Sequence, residues 1–97
     1  MATIEQNLQA LATTETDTDV VRLVTELHAA SLDAGEAGLP VGLDELPMAS
    51  EDVRRVLVAH RLATREGLIL ADECDGEALF YLNESALAQR VQSLAAG

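Results

Sequence analysis

The sequence predicts an α+β fold that is mostly α, and three observations carry the expectation. The apolar share is 48%, yet the chain holds one Phe, one Tyr and no Trp, so its core must be built from Leu, Val and Ala. Such a core favours packed helices over a large sheet. Apolar residues recur at helical spacing along most of the chain. Near its end, two apolar runs flank Asp75-Gly76. That is a strong hairpin signal, because a type I′ turn needs positive φ at both central residues. With 97 residues the chain makes one domain, and its single cysteine, Cys74, excludes an internal disulfide.

In order, residues 3–12 form an amphipathic helix with Ile4, Leu8 and Leu11 on one face. Thr13 to Asp19 is polar and acid-rich and reads as a linker, so residues 1–18 are an N-terminal helix and linker, and 19–97 the main domain. Asp19 caps a helix from Val20 to about Asp33, with Val20, Val24, Leu27 and Ser31 on one side and Leu23 beside them, ended by Gly35 and Gly38. Leu39-Pro40-Val41 reads as an edge strand, where proline is tolerated. Leu43 to Leu46 is a very short helix stopped by Pro47.

The longest functional signal follows. A helix is predicted over Ser50 to Arg65, with Ser50 as N-cap, Glu51 and Asp52 at the positive end of its dipole, and Gly67 as its left-handed stop. The hairpin Leu68 to Leu82 comes next. A final helix, Glu84 to Ala96, is capped by Asn83 and carries Leu87, Val91 and Leu94 on one face.

The order helix, helix, short strand, short helix, helix, hairpin, helix resembles a winged helix-turn-helix domain. Leu39 to Leu46 resembles the strand and first helix of that motif, and Ser50-Glu51-Asp52-Val53-Arg54-Arg55-Val56-Leu57 the start of a recognition helix. Arg65-Glu66-Gly67-Leu68-Ile69 resembles the segment that closes that helix, and Phe80-Tyr81-Leu82-Asn83 the second wing strand of small prokaryotic regulators. The resemblance covers Val20 to Ala96 and implies a two- to three-stranded antiparallel wing between flanking N- and C-terminal helices. The chain departs from the pattern twice. Only Pro47-Met48-Ala49 separates Leu46 from Ser50, and the wing tip, Asp72 to Glu77, is acidic where many members are basic.

Charge locates the candidate site. Seventeen acidic residues, six arginines and no lysine give a net charge of −11. An acidic surface without lysine fits a halophilic protein, with a high-GC bacterial source as the alternative. Generic nucleic-acid binding is disfavoured, because a phosphate backbone repels such a molecule. The distribution says more. Residues 50–67 carry Arg54, Arg55, Arg61 and Arg65 against three acids, a net +1, leaving −12 for the rest. On a helical wheel Arg54, Arg61 and Arg65 fall within about 40° of one another, since spacings of 7 and 11 nearly close whole turns.

That basic stripe, with Ser50 at its start and Arg55 beside it, is the candidate contact with double-stranded DNA. The bland reading is a solvated face with Glu51–Arg55 as an ordinary helical pair. Val58 and Leu62 border the stripe and are too apolar for open water: either the hairpin covers them or a partner does. The rival function is accordingly a winged-helix adaptor that docks a protein and never touches DNA.

A homodimer is expected through Ile4, Leu8, Leu11, Leu87, Val91 and Leu94, since paired recognition helices read two half-sites. His28, His60 and Cys74 are too scattered in sequence for a metal site, so neither metal nor cofactor is expected. Phe80 is expected in the core rather than stacked on a base. No phosphate loop, nucleophile elbow or acid–base pair is present, which argues against an enzyme. There is no apolar run long enough to span a membrane, and the start lacks a signal-peptide pattern. The expectation is a cytoplasmic protein.

Overall fold

A computed structural model describes residues 2–64 and 67–96. The fold is α+β and mostly helical, with α1 (Ile4–Thr14), α2 (Thr18–Ala34), β1 (Val41–Gly42), α3 (Ser50–Ala59), β2 (Ile69–Cys74), β3 (Glu77–Leu82) and α4 (Glu84–Ala96).

The first helix begins with a capping box. Thr3 Oγ1 accepts the Gln6 amide at 3.2 Å, and Gln6 Oε1 accepts the Thr3 amide at 2.9 Å. It runs two residues past the expected end, and there Thr13 and Thr14 turn their hydroxyls back onto the Ala10 carbonyl, at 3.0 and 2.6 Å. The residue that caps α2 is Asp17, whose Oδ1 accepts the Asp19 amide at 3.0 Å. The expected boundary between residues 18 and 19 therefore falls inside α2. Nor is residues 1–18 a detached arm, since Leu11 is buried in the common core.

The centre of the molecule is α2. Val20, Leu23, Val24 and Leu27 are fully buried along one face, against Val53, Val56 and Leu57 of α3 and against Val41, Ile69, Phe80 and Leu82 of the sheet. Ser31, also fully buried, donates to the Leu39 carbonyl at 2.7 Å and fixes the chain's return into β1.

The strand order is β1-β3-β2, all antiparallel, with Val41 opposite Phe80 and Ile69 opposite Leu82. Asp75 (φ 52°) and Gly76 (φ 82°) form the two-residue turn between β2 and β3, both left-handed as type I′ demands. Phe80 points into the core while Tyr81 is half-buried. Asn83 joins the hairpin to α4: its amide donates to the Leu68 carbonyl at 2.8 Å, and its Oδ1 accepts the Ala86 amide at 3.3 Å.

The short helix before Pro47 is a single 3-10 turn, Leu43–Glu45. Pro47 forces the residue before it out of the helical region, and Leu46 is extended at φ −94°, ψ 141°. Leu46 and Met48 are nonetheless buried, so this loop contributes two side chains to the core.

The six residues expected at a dimer interface are placed within the monomer. Leu11 and Leu87 are 1% and 0% exposed, and Ile4, Leu8, Val91 and Leu94 pack around the same core. α1 lies directly against α4, so the two apolar stripes cover each other. Among the described residues no helix is long and apolar enough to cross a membrane.

Candidate nucleic-acid interface

The helix carrying the arginines is shorter than its sequence pattern. α3 ends at Ala59, six residues before the expected end, and Ser50 is its first helical residue rather than its cap. Ala49 occupies the N-cap position and makes no side-chain bond there.

The stop is a Schellman motif. The Leu62 amide reaches the Leu57 carbonyl at 2.9 Å and the Arg61 amide reaches the Val58 carbonyl at 3.3 Å. Arg61 sits in the left-handed position, φ 52°, that glycine usually fills. Gly67 has a different task. A Cβ there would lie 2.1 Å from the Leu62 carbonyl oxygen, which also accepts the Ile69 amide at 2.9 Å. Glycine is required by the close approach of two backbone segments, not by a helix end.

The reason for the early stop lies in Leu62. If α3 continued, Leu62 would stand on the outer face, about 120° around from Ser50 and opposite Val53, Val56 and Leu57. Breaking the helix at Arg61 swings Leu62 into the core, where it is 1% exposed. Val58 gains no such cover and is 78% exposed, at the crest of α3 between Arg54 and Arg55. The expected single stripe is thereby divided: Arg54 and Arg55 project from α3, and Arg61 from the turn beyond it. Arg65 lies outside the described residues.

Arg54, Arg55 and Arg61 are all exposed. Arg54 lines an open groove of about 310 Å³ formed with Ser50, Leu43, Asp44 and the wing residues Gly76 and Glu77. No carboxylate among the described residues lies within 4.0 Å of Arg54. Arg55 is partly answered by the chain itself. Its Nη2 lies 3.5 Å from Asp52 and its Nη1 3.9 Å from Asp19, and all three side chains are about half exposed. At the end of α3, His60 Nε2 is 2.9 Å from Asp17 Oδ2. Asp17 thus caps α2 with one oxygen and holds the end of α3 with the other.

These contacts of Asp17 and Asp19 with α3 have no signature in the sequence. The Thr16-Asp17-Thr18-Asp19 run offers the cap in two registers, and only the fold shows which carboxylate faces α3. The Glu51–Arg55 pair expected from spacing is replaced by Asp52–Arg55, one residue closer.

The wing presents the opposite charge. Asp72, Glu73, Asp75 and Glu77 are all exposed around the turn, with Cys74 exposed and free among them. Among the described residues no group of three His, Cys, Asp or Glu side chains is placed to hold a metal ion. Compared with known proteins, the chain matches no family model, no curated protein and no solved structure.

Proposed function

We propose that this chain is a winged-helix DNA-binding protein, a transcriptional regulator that lays α3 in the major groove. Arg54, Arg55 and Arg61 make the contacts, and the Ser50 hydroxyl meets a phosphate at the first turn of α3. The observation that carries this reading is Arg61. A non-glycine residue in the left-handed region is strained, and strain of this kind gathers at functional sites. Burial of Leu62 accounts for the left-handed turn at Arg61, but not for an arginine there in place of glycine; an exposed arginine at that position, beside two more on α3, answers to a polyanion.

Two further features support it. The sheet order β1-β3-β2 with α3 directly before the hairpin matches the layout expected of a winged helix. The ion pairs of Arg55 are exposed and long, so each contributes little and a phosphate can displace them. The acidic wing tip, whose Gly76 and Glu77 border the groove of Arg54, repels phosphate on its own side and so limits binding to the α3 surface in this reading.

The test is duplex binding by fluorescence anisotropy, using DNA from upstream of the protein's own coding region. Arg54→Ala combined with Arg61→Ala should weaken binding by about 1–3 kcal/mol per lost specific contact. Each arginine that rests on a phosphate rather than a base edge should steepen the fall of log K against log salt by about one, to roughly −3 if all three do. Undiminished binding by the double variant would remove α3 from the interface.

One observation favours a second reading, the adaptor. Val58 is a large apolar side chain at the crest of α3 with nothing over it. A protein surface that is acidic around an apolar pocket would receive Val58 and its flanking arginines together. Co-purification separates the two: nucleic acid in the first case, a stoichiometric protein removed by Val58→Ser in the second.

A further inference from the structure

We infer that Val58 reads thymine: its side chain packs against the C5-methyl group of a thymine in the major groove, beside the bases or phosphates that Arg54 and Arg55 contact. The inference rests on the DNA-binding reading proposed above and adds to it one letter of the site and the residue that selects it.

The fold makes no use of this side chain. Val58 is 78% exposed, and the other large apolar residue left exposed among the described residues, Leu32 at 49%, lies on α2. The turn that ends α3 depends on residue 58 through its backbone alone, since the Val58 carbonyl accepts the Arg61 amide at 3.3 Å. Valine is also a poorer helix former than alanine, arginine or glutamate. At an exposed position near the end of α3, propensity and solvation both favour one of those three. Alanine there would close the same turn and leave less apolar surface in water.

The neighbours select the occupant. On a helical wheel Val58 lies about 40° from Arg54 and about 60° from Arg55 on its other side, with Glu51 two turns earlier on nearly the same line. All three are exposed and charged, and the only other exposed apolar residue of α3 is Ala59. Protein interfaces bury their aromatic and aliphatic anchors as a cluster at the centre of the patch. One isopropyl group ringed by charge supplies no such cluster. The major groove has the matching pattern: thymine offers a single methyl group among hydrogen-bonding base edges, and guanine offers the O6 and N7 acceptors that arginine reads.

Stiffness and spacing narrow the position. Valine in a helix has one strongly preferred χ1 rotamer, so its methyl groups are held in place before binding. From Arg54 to Val58 the helix rises about 6 Å, close to two base steps of about 3.4 Å each. The thymine therefore lies within about two base pairs of the group that Arg54 meets.

The probe is a duplex enriched from a randomised pool by the wild-type chain at one fixed salt concentration, then resynthesised with uracil for each thymine in turn. Uracil pairs as thymine does and lacks only the methyl group. At one position uracil should weaken wild-type binding about fourfold, the worth of one buried methylene-sized group. Val58→Ala should lose the same factor on the thymine duplex and bind the thymine and uracil duplexes alike. Leu32→Ala should behave as wild type on both, and circular dichroism of the three proteins should superpose. An enriched duplex that tolerates uracil at every thymine, or a penalty that persists in Val58→Ala, overturns the inference and leaves the DNA-binding reading standing. A chain that enriches no duplex overturns both, and a co-purifying protein released by Val58→Ala then places this residue in the adaptor interface instead.

Discussion

Replacing Arg61 by glycine should make the protein more stable while weakening whatever its α3 surface binds. At φ 52° the arginine Cβ crowds its own backbone. An L-residue in this region carries a cost of about 1–2 kcal/mol that glycine escapes. Against that, glycine gives the unfolded chain extra freedom, a loss of about 0.5–1 kcal/mol. The difference favours the variant by about 0.5–1 kcal/mol. For a domain of this size each kcal/mol moves the melting temperature by about 4–8 °C, so Tm should rise by roughly 2–8 °C.

Arg61→Ala is the necessary companion. It removes the same charge but keeps a Cβ, so it should lose binding like the glycine variant without the gain in stability. Thermal unfolding followed by circular dichroism, at one fixed salt concentration, compares the three proteins directly. The reasoning fails if glycine is no more stable than alanine, because left-handed strain would then not be stored at this position. It fails differently if Arg61→Gly is stabilised and binds as wild type does: the strain would be real, but the arginine would not be its reason.

Three other substitutions probe the framework that holds α3. Gly67→Ala places a methyl 2.1 Å from the Leu62 carbonyl oxygen, so the backbone must part and the Ile69–Leu62 bond is lost. Urea denaturation should show a loss of about 2–4 kcal/mol, larger than for Gly76→Ala, where only positive φ is at stake. Arg90→Ala strands Glu15, whose side chain is 8% exposed, and should cost about 1.5–3 kcal/mol in the same assay, with Glu15→Gln recovering part of it. Asp17→Ala removes the α2 cap and the His60 contact together and should cost about 1–2 kcal/mol. A double-mutant cycle with His60→Ala then isolates the contact, whose half-exposed side chains limit it to under about 1 kcal/mol.

What the sequence made legible was local. The turn at Asp75-Gly76 needed two positive φ values, and those residue types permit them. Asn83 before Glu84 had the side chain to cap α4, and does. Pro47 had to end whatever preceded it, and the extended Leu46 shows that effect. The end of α3 was a different kind of problem. His60, Arg61, Leu62 and Ala63 all tolerate a helix, and nothing in their propensities marks a break. The clue was that Leu62 fell on the wet side of the extrapolated wheel. A helix that continues strands one leucine in water, while a helix that breaks strains one arginine and buries that leucine. Burial wins, because it stabilises by about 1.5–3 kcal/mol for a leucine while the left-handed backbone costs about 1–2 kcal/mol. Hydrophobic periodicity locates the stop once Leu62 is required to be buried.

The same competition decides how the arginine surface should be judged. Arg55 lies within 4 Å of two carboxylates, which at low ionic strength looks like a site neutralised by its own chain. Yet both pairs are near the limit of direct contact and open to water on most sides. At molar salt the Debye length shrinks to about 3 Å, less than either separation, and the pairing energy becomes small against the entropy of a free arginine side chain. The long-range repulsion between a −11 protein and a polyanion shrinks in the same way. What survives screening is short-range: hydrogen bonds from guanidinium groups to base edges, and packing of Val58 against a thymine methyl or a protein pocket. A surface built like this therefore discriminates best where general attraction is weakest. On the DNA-binding reading proposed above, its selectivity for sequence over bulk DNA should widen, not narrow, as salt is raised toward molar, and a ratio of specific to competitor binding that falls with salt would contradict the argument.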